Sequence, residues 1–306
     1  MWNLQALPTC LVVILSLAIF TKHVTTSKQR PFYIMGHLVN SIEEISEYLE
    51  RGSNVLESDI EFFKNGSVKA VYHGFPCDCY RECENSANMV DYLQTVRNIT
   101  DPNVPGNYYD QMVLQLFDLK LNTSEDKRFS GREVARHVLD YLWGEEGERE
   151  QEIRVIFYFD HEEKDVLVGV MDEFTVRGQT ARLKDVGFDG GIGNISDIAR
   201  IFSELNIKDN IWLGDGVTNC LEPFKSFERL EQAIDCRDSS KSFIGKVYQW
   251  TNDLQSTMVQ ALRLGVDGML TNKPEVLLKV LHQPEFAEDF RLATIYDNPF
   301  ERYDGK

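Results

Sequence analysis

Ile42-Glu43-Glu44-Ile45-Ser46-Glu47-Tyr48-Leu49-Glu50-Arg51-Gly52-Ser53-Asn54-Val55-Leu56-Glu57-Ser58-Asp59 reads as a helix over residues 42–50, a stop at Gly52, and a strand over 54–59 with a polar end. The pattern returns near the other end of the chain: a helix over 255–264, a stop at Gly265, and a strand over 267–272. Each unit is a helix, a glycine able to adopt positive φ, and a strand that finishes in polar residues. Working outward, eight short β-type runs alternate with helix-like segments, at residues 33–35, 54–60, 112–119, 153–159, 183–188, 210–213, 246–250 and 268–271. That alternation predicts a distorted, single-domain (β/α)8 TIM-like barrel. A doubly wound open sheet is the competing α/β reading, but no Gly-rich phosphate loop follows the first strand.

Composition fits one such domain. Of 306 residues, 42% are hydrophobic and 26% charged, as in ordinary folded proteins. The apolar run 10–20, broken only by Ser16, is about half of what a membrane-spanning helix requires and gives way to polar residues 21–27. It reads as a signal peptide over 1–27, leaving 28–306 as one secreted, extracellular catalytic domain. The net charge of −17 becomes one unit more negative when Lys22 is removed. Nucleic acid and anionic membranes are therefore poor partners, whereas a zwitterionic or cationic headgroup is compatible. Loss of Cys10 leaves Cys77, Cys79, Cys83, Cys220 and Cys236, an odd number for an oxidising compartment. Sequons at Asn65, Asn98, Asn122 and Asn194 are candidate glycosylation sites.

In a barrel of this kind chemistry gathers at the C-terminal ends of the strands. The first run ends at Gly36-His37. The second carries Glu57 and Asp59 at i and i+2, on one side of the strand, and the third repeats that spacing with Asp118 and Lys120. Between them lies Tyr72-His73-Gly74. Carboxylates set in apolar strands are costly unless paired or bound to a metal. Glu57, Asp59 and Asp118 offer the hard oxygen ligands that Mg²⁺ takes; the plainer alternative is an ion-pair network through Lys120 or an arginine. His37 and His73 could serve as acid and base, each contributing about 10²–10⁴-fold. His137, on a helix-like stretch, and His161, in an acidic run, read as structural.

Seven ordered blocks carry a family resemblance: Ile34-Met35-Gly36-His37, Glu57-Ser58-Asp59, Tyr72-His73-Gly74-Phe75-Pro76-Cys77-Asp78-Cys79, Phe117-Asp118-Leu119-Lys120, Asp215-Gly216-Val217-Thr218-Asn219-Cys220, Lys246-Val247-Tyr248-Gln249-Trp250-Thr251 and Ala293-Thr294-Ile295-Tyr296-Asp297-Asn298-Pro299. Together they resemble spider-venom phospholipase D (sphingomyelinase D, dermonecrotic toxin) and its tick and mite relatives, from about Arg30 to Phe300. The resemblance implies His37 and His73 as the acid/base pair, Glu57, Asp59 and Asp118 as Mg²⁺ ligands, and Lys120 as a phosphate contact and catalytic group. It also implies Tyr248, Trp250, Asp253 and Asn272 as substrate-binding cleft residues. An indole face suits a quaternary ammonium through cation–π attraction; strand-core packing is the alternative for Trp250.

The same resemblance implies the disulfides Cys77–Cys83 and Cys79–Cys220, leaving Cys236 as the candidate free thiol; a zinc site lacks a histidine at ligand spacing. It further implies a monomer in peripheral contact with membranes or lipoproteins, acting on the choline headgroup of sphingomyelin or lysophosphatidylcholine. The substrate's own hydroxyl would attack phosphorus to leave a cyclic phosphate. Two rivals stand beside it: a glycerophosphodiesterase-like hydrolase that uses water, and a non-catalytic secreted binding protein. Two departures from the family pattern are Phe300, where it has Trp, and the acidic character of residues 159–178.

Overall fold

A computed structural model describes residues 29–145, 147, 149 and 151–303. The expected signal peptide, with Cys10, Lys22 and His23, lies outside the described residues. The chain runs β1 (Arg30–Gly36), α1 (Ile42–Glu50), β2 (Val55–Phe62), β3 (Val68–Tyr72), β4 (Ser86–Ala87), α2 (Met89–Ile99), β5 (Leu114–Lys120) and α3 (Lys127–His137). It continues with β6 (Arg154–Tyr158), α4 (Asp165–Val176), β7 (Val186–Asp189), α5 (Ile195–Glu204), β8 (Ile211–Gly216) and α6 (Glu228–Asp238). It closes with β9 (Lys246–Trp250), α7 (Gln255–Leu264), β10 (Gly268–Thr271), α8 (Pro274–Leu281) and β11 (Phe290–Leu292).

Eight of the strands form a closed parallel barrel in the order β1-β10-β9-β8-β7-β6-β5-β2, sealed by pairing of β2 with β1. All eight expected runs supply a barrel strand. One boundary is corrected: residues 183–185 belong to a 3-10 turn (Thr180–Asp185), and β7 begins at Val186. Three short strands lie outside the expected set. β3 returns antiparallel along β2, β4 pairs with β3, and β11 runs beside the start of β1.

Alternation along the strands builds two cores. Phe32 and Ile34 of β1 face the surrounding helices, while Tyr33 and Met35 join Val55, Leu114, Leu116, Ile156 and Trp212 inside the barrel. The two units quoted from the sequence end as expected, with Gly52 at φ 105° and Gly265 at φ 89°, conformations that favour glycine. Helix α1 starts with a capping box between Ser41 and Glu44. α3 and α4 cross through reciprocal glycines: a Cβ at Gly131 would meet the Val166 carbonyl oxygen, and one at Gly169 that of Arg128, each at 1.9 Å.

The C-terminal segment closes the N-terminal end of the barrel. Arg154 Nη1 donates to the Ile295 carbonyl at 2.9 Å and Trp212 Nε1 to that of Pro299 at 3.0 Å. Phe300 packs on the inner core, so close to Gly187 that a Cβ there would lie 2.4 Å from its ring. The family departure at Phe300 therefore sits at the end of the barrel opposite the polar strand ends.

Candidate active site

The inward register of β1, β2 and β5 changes from apolar to polar near the C-terminal mouth. Met35 is followed by His37, Val55 by Glu57 and Asp59, and Leu116 by Asp118 and Lys120. Register sets Glu57 opposite Leu116 and Asp59 opposite Asp118. The result is a cleft of about 480 Å³, lined among others by His37, Glu57, Asp59, His73, Asp118, Lys120, Tyr158, Tyr248 and Trp250.

Glu57, Asp59 and Asp118 each bring an oxygen within 4.8 Å of the others. Glu57 Oε2 accepts from the Leu38 amide at 2.7 Å, and Asp59 Oδ2 from Asn40 Nδ2 at 2.8 Å. Lys120 Nζ sits 2.6 Å from Asp118 Oδ2 and 2.9 Å from Asp59 Oδ1. The two alternatives overlap here, since Asp59 and Asp118 belong both to the Lys120 ion pairs and to the three-carboxylate cluster, which Glu57 completes. Burial, then the Asp59 charge, push Glu57 up to about 8, and burial raises Asp118 as well. Burial acts the same way on Asp59, but Lys120, His73 and Asn40 outweigh it and hold Asp59 low. Three carboxyl groups gathered within 4.8 Å of one another repel when ionised, and a hard divalent cation with oxygen preference offsets that repulsion. The donor set fits such an ion.

The two imidazoles are held differently. His73 Nδ1 lies 2.8 Å from the Gly74 carbonyl; a carbonyl can only accept, so Nδ1 carries a proton and Nε2 is the ring nitrogen left to exchange one. His37 Nδ1 is 3.0 Å from Asp78 Oδ2. Burial opposes charging His37, but the Asp78 hydrogen bond and charge, with Glu57 and Asp59, prevail and raise it to about 9. Asp78 is fixed by Thr218 Oγ1 at 2.7 Å and Asn272 Nδ2 at 2.9 Å. Burial alone would raise Asp78; His37, Thr218 and Asn272 hold it far below the usual carboxylate range.

Tyr248 and Trp250 line the cleft wall. The Tyr248 hydroxyl is bonded to Asp189, which burial pushes up to about 7. Trp250 Nε1 is buried with no hydrogen-bond partner among the described residues. Asp253 and Asn272 stand elsewhere than expected. They lie behind the wall, where Asn272 bridges Asp253 Oδ2 at 2.9 Å to Asp78, and they line a neighbouring cavity of about 680 Å³ with Tyr80 and Arg81. Asn272 thus touches Asp78 directly, and Asp253 reaches it only through Asn272. Asp78, Tyr158 and Asp189 were not singled out on the sequence. The signals for Asp78 were its place between two cysteines and within the block 72–79 that carries the family resemblance.

The disulfides Cys77–Cys83 and Cys79–Cys220 are formed, and Cys236 is free. His137 Nδ1 bonds the Glu133 carbonyl within α3, and His161 lies beside Asp160 at 3.1 Å; neither lines the cleft. Asn65 is exposed on the β2–β3 turn and Asn122 at the cleft rim. Asn194 caps α5. Asn98 lies in α2, with its sequon Thr100 buried and bonded to the Val96 carbonyl.

The barrel and its cleft define the class. Two solved structures share the fold: an Oleispira antarctica phosphodiesterase in complex with sn-glycerol-3-phosphate (TM-score 0.54, 10% identity, 82% of this chain and 97% of that one), and a Parabacteroides distasonis glycerophosphodiester phosphodiesterase (TM-score 0.52, 16% identity, 84% and 99%). This is a single-domain barrel with the architecture of the glycerophosphodiester phosphodiesterases.

The family follows from the sequence. The model described as Dermonecrotic toxin SPH matches residues 27–300. A dermonecrotic toxin of Loxosceles cf. spinulosa is 39% identical over 276 residues, 88% of this chain and 99% of the relative. One of the tick Ixodes scapularis is 37% identical over 286 residues, 91% and 78%. The chain belongs to the dermonecrotic toxin SPH family, as the seven blocks led us to expect.

Proposed function

We propose that this chain is a phospholipase D-type phosphodiesterase that releases choline from sphingomyelin or lysophosphatidylcholine. The observation that carries this reading is the pairing, in one cleft, of an imidazole kept charged by Asp78 with one whose Nδ1 is tied to the Gly74 carbonyl and whose Nε2 is left to exchange a proton. His73 Nε2 takes the proton of the substrate's own hydroxyl as that oxygen bonds to phosphorus. His37, protonated, gives its proton to the choline oxygen as the phosphorus–oxygen bond to choline breaks. The products are a cyclic phosphate and choline, and proton exchange with water resets the pair. Glu57, Asp59 and Asp118 would hold Mg²⁺, which supplies Lewis-acid polarisation of the phosphoryl oxygens. Lys120 places a further positive charge where the transition state gathers negative charge, and the Trp250 face takes the quaternary ammonium. We assign the protein to the extracellular space, as a monomer working on choline lipids of membranes or lipoproteins; the two disulfides support that compartment.

The test is choline release from each lipid, with products resolved by mass spectrometry. EDTA should abolish turnover and added Mg²⁺ restore it, and His37→Ala should cost about 10²–10⁴-fold. Turnover indifferent to both treatments overturns the mechanism. A linear product alone supports the water-using hydrolase, a reading the shared fold keeps in view.

A further inference from the structure

Large apolar side chains are unevenly exposed over the two ends of this barrel. Among the described residues, eleven are exposed. Three of them, Val104, Val176 and Tyr296, lie toward the N-terminal end, in segments that lead into barrel strands or in the closing C-terminal tail. Seven of the other eight lie in connections that leave the C-terminal strand ends, around the cleft mouth, and the eighth, Phe129, in the first turn of α3 just beyond one. Phe75 and Phe224 expose 86% and 84% of their surface, although an aromatic ring gains about 1.5–3 kcal/mol by leaving water.

Five of the eight form one arc of the rim. Phe75 adjoins Pro76 and Cys77, which line the cleft. The Cys79–Cys220 bridge sets Tyr80 beside Leu221. Leu254 shares the neighbouring cavity with Tyr80 and Pro223, next to Phe224. The arc is held rigidly: Asn219 and Cys79 exchange hydrogen bonds of 2.9 and 3.0 Å, and Glu222 accepts from the Leu254 amide at 3.3 Å. Such groups presented around an opening mark an interaction surface.

The net charge of −17 argues against an anionic surface as the occupant, since attraction to anionic leaflets needs basic clusters. We propose that the arc is a docking rim whose side chains enter the interface of a zwitterionic choline-phospholipid bilayer and seat the cleft mouth upon it. This rests on the functional reading above only for the identity of the headgroup.

The experiment is flotation of the full mature chain with phosphatidylcholine–sphingomyelin vesicles in EDTA, so that binding is read without turnover. Phe75→Ser and Phe224→Ser should each lower partitioning by about tenfold or more, while Val104→Ser and Val176→Ser at the other end leave it unchanged. Phe224→Ser should turn over a short-chain lysophosphatidylcholine, held below its micelle concentration, at the wild-type rate in Mg²⁺. Wild-type binding by the rim variants, or equal loss in the Val variants, overturns the proposal. So does tighter binding to phosphatidylserine vesicles, or a dimer in sedimentation that Phe224→Ser dissociates. If the wild type binds vesicles through the rim yet cleaves no choline lipid, the rim stands and the functional reading fails.

Discussion

At the residue scale, the least expected participant is Asp78, which holds His37 in its charged form. The sign of its effect can be worked out. His37 in the folded protein is raised to about 9 from an ordinary value of about 6.5. The stability it contributes is fully present below about 6.5 and is lost as pH rises through 9. In the metal-free protein, NMR titration of the His37 ring should show a midpoint near 9, and Asp78→Asn should move it toward lower pH. An unmoved midpoint would show that Asp78 does not set the charge of that imidazole. Glu57, Asp59, Asp118 and Lys120 were legible because strand alternation alone aims them inward. Asp78 was not, because its role is a contact with a residue 41 positions earlier, across a loop with no periodicity. Asp253 and Asn272 were read as cleft residues by resemblance; the bridge from Asn272 to Asp78 puts them one step behind the wall.

At the scale of elements, α3 and α4 are held together by absence of side chain at Gly131 and Gly169. Backbone oxygens fill the space a methyl group would need, and neither helix can yield without the other. Gly169→Ala should lower the free energy of unfolding by about 1–3 kcal/mol, seen as a shifted urea midpoint with an unchanged slope. Stability equal to wild type would mean that the helices slide apart at no cost. Most elements could be read beforehand, since buried parallel strands are short apolar runs between helical patterns. β4 and β11, at two and three residues, are too short to carry a period. β3 was hidden because its hairpin with β2 interrupts the alternation of strand and helix. Residues 183–185 look like strand but form a 3-10 turn leading into β7.

For the whole molecule, the clamp on His37 depends on the tertiary structure of distant segments. Asp78 stands between the two bridged cysteines Cys77 and Cys79, and Cys79 is tied to Cys220 across 141 residues, next to the Thr218 that bonds Asp78. Both Cys79 and Cys220 are exposed, so mild thiol reductant reaches this bridge. Reduced protein should lose most of its turnover on monomeric substrate and recover it on reoxidation, with thiols counted by mass spectrometry. Full turnover with both bridges open would separate the clamp from catalysis. The bridge thereby makes the His37 clamp conditional on oxidation: with Cys79–Cys220 open, the loop of Asp78 and the loop of Thr218 are no longer tied covalently.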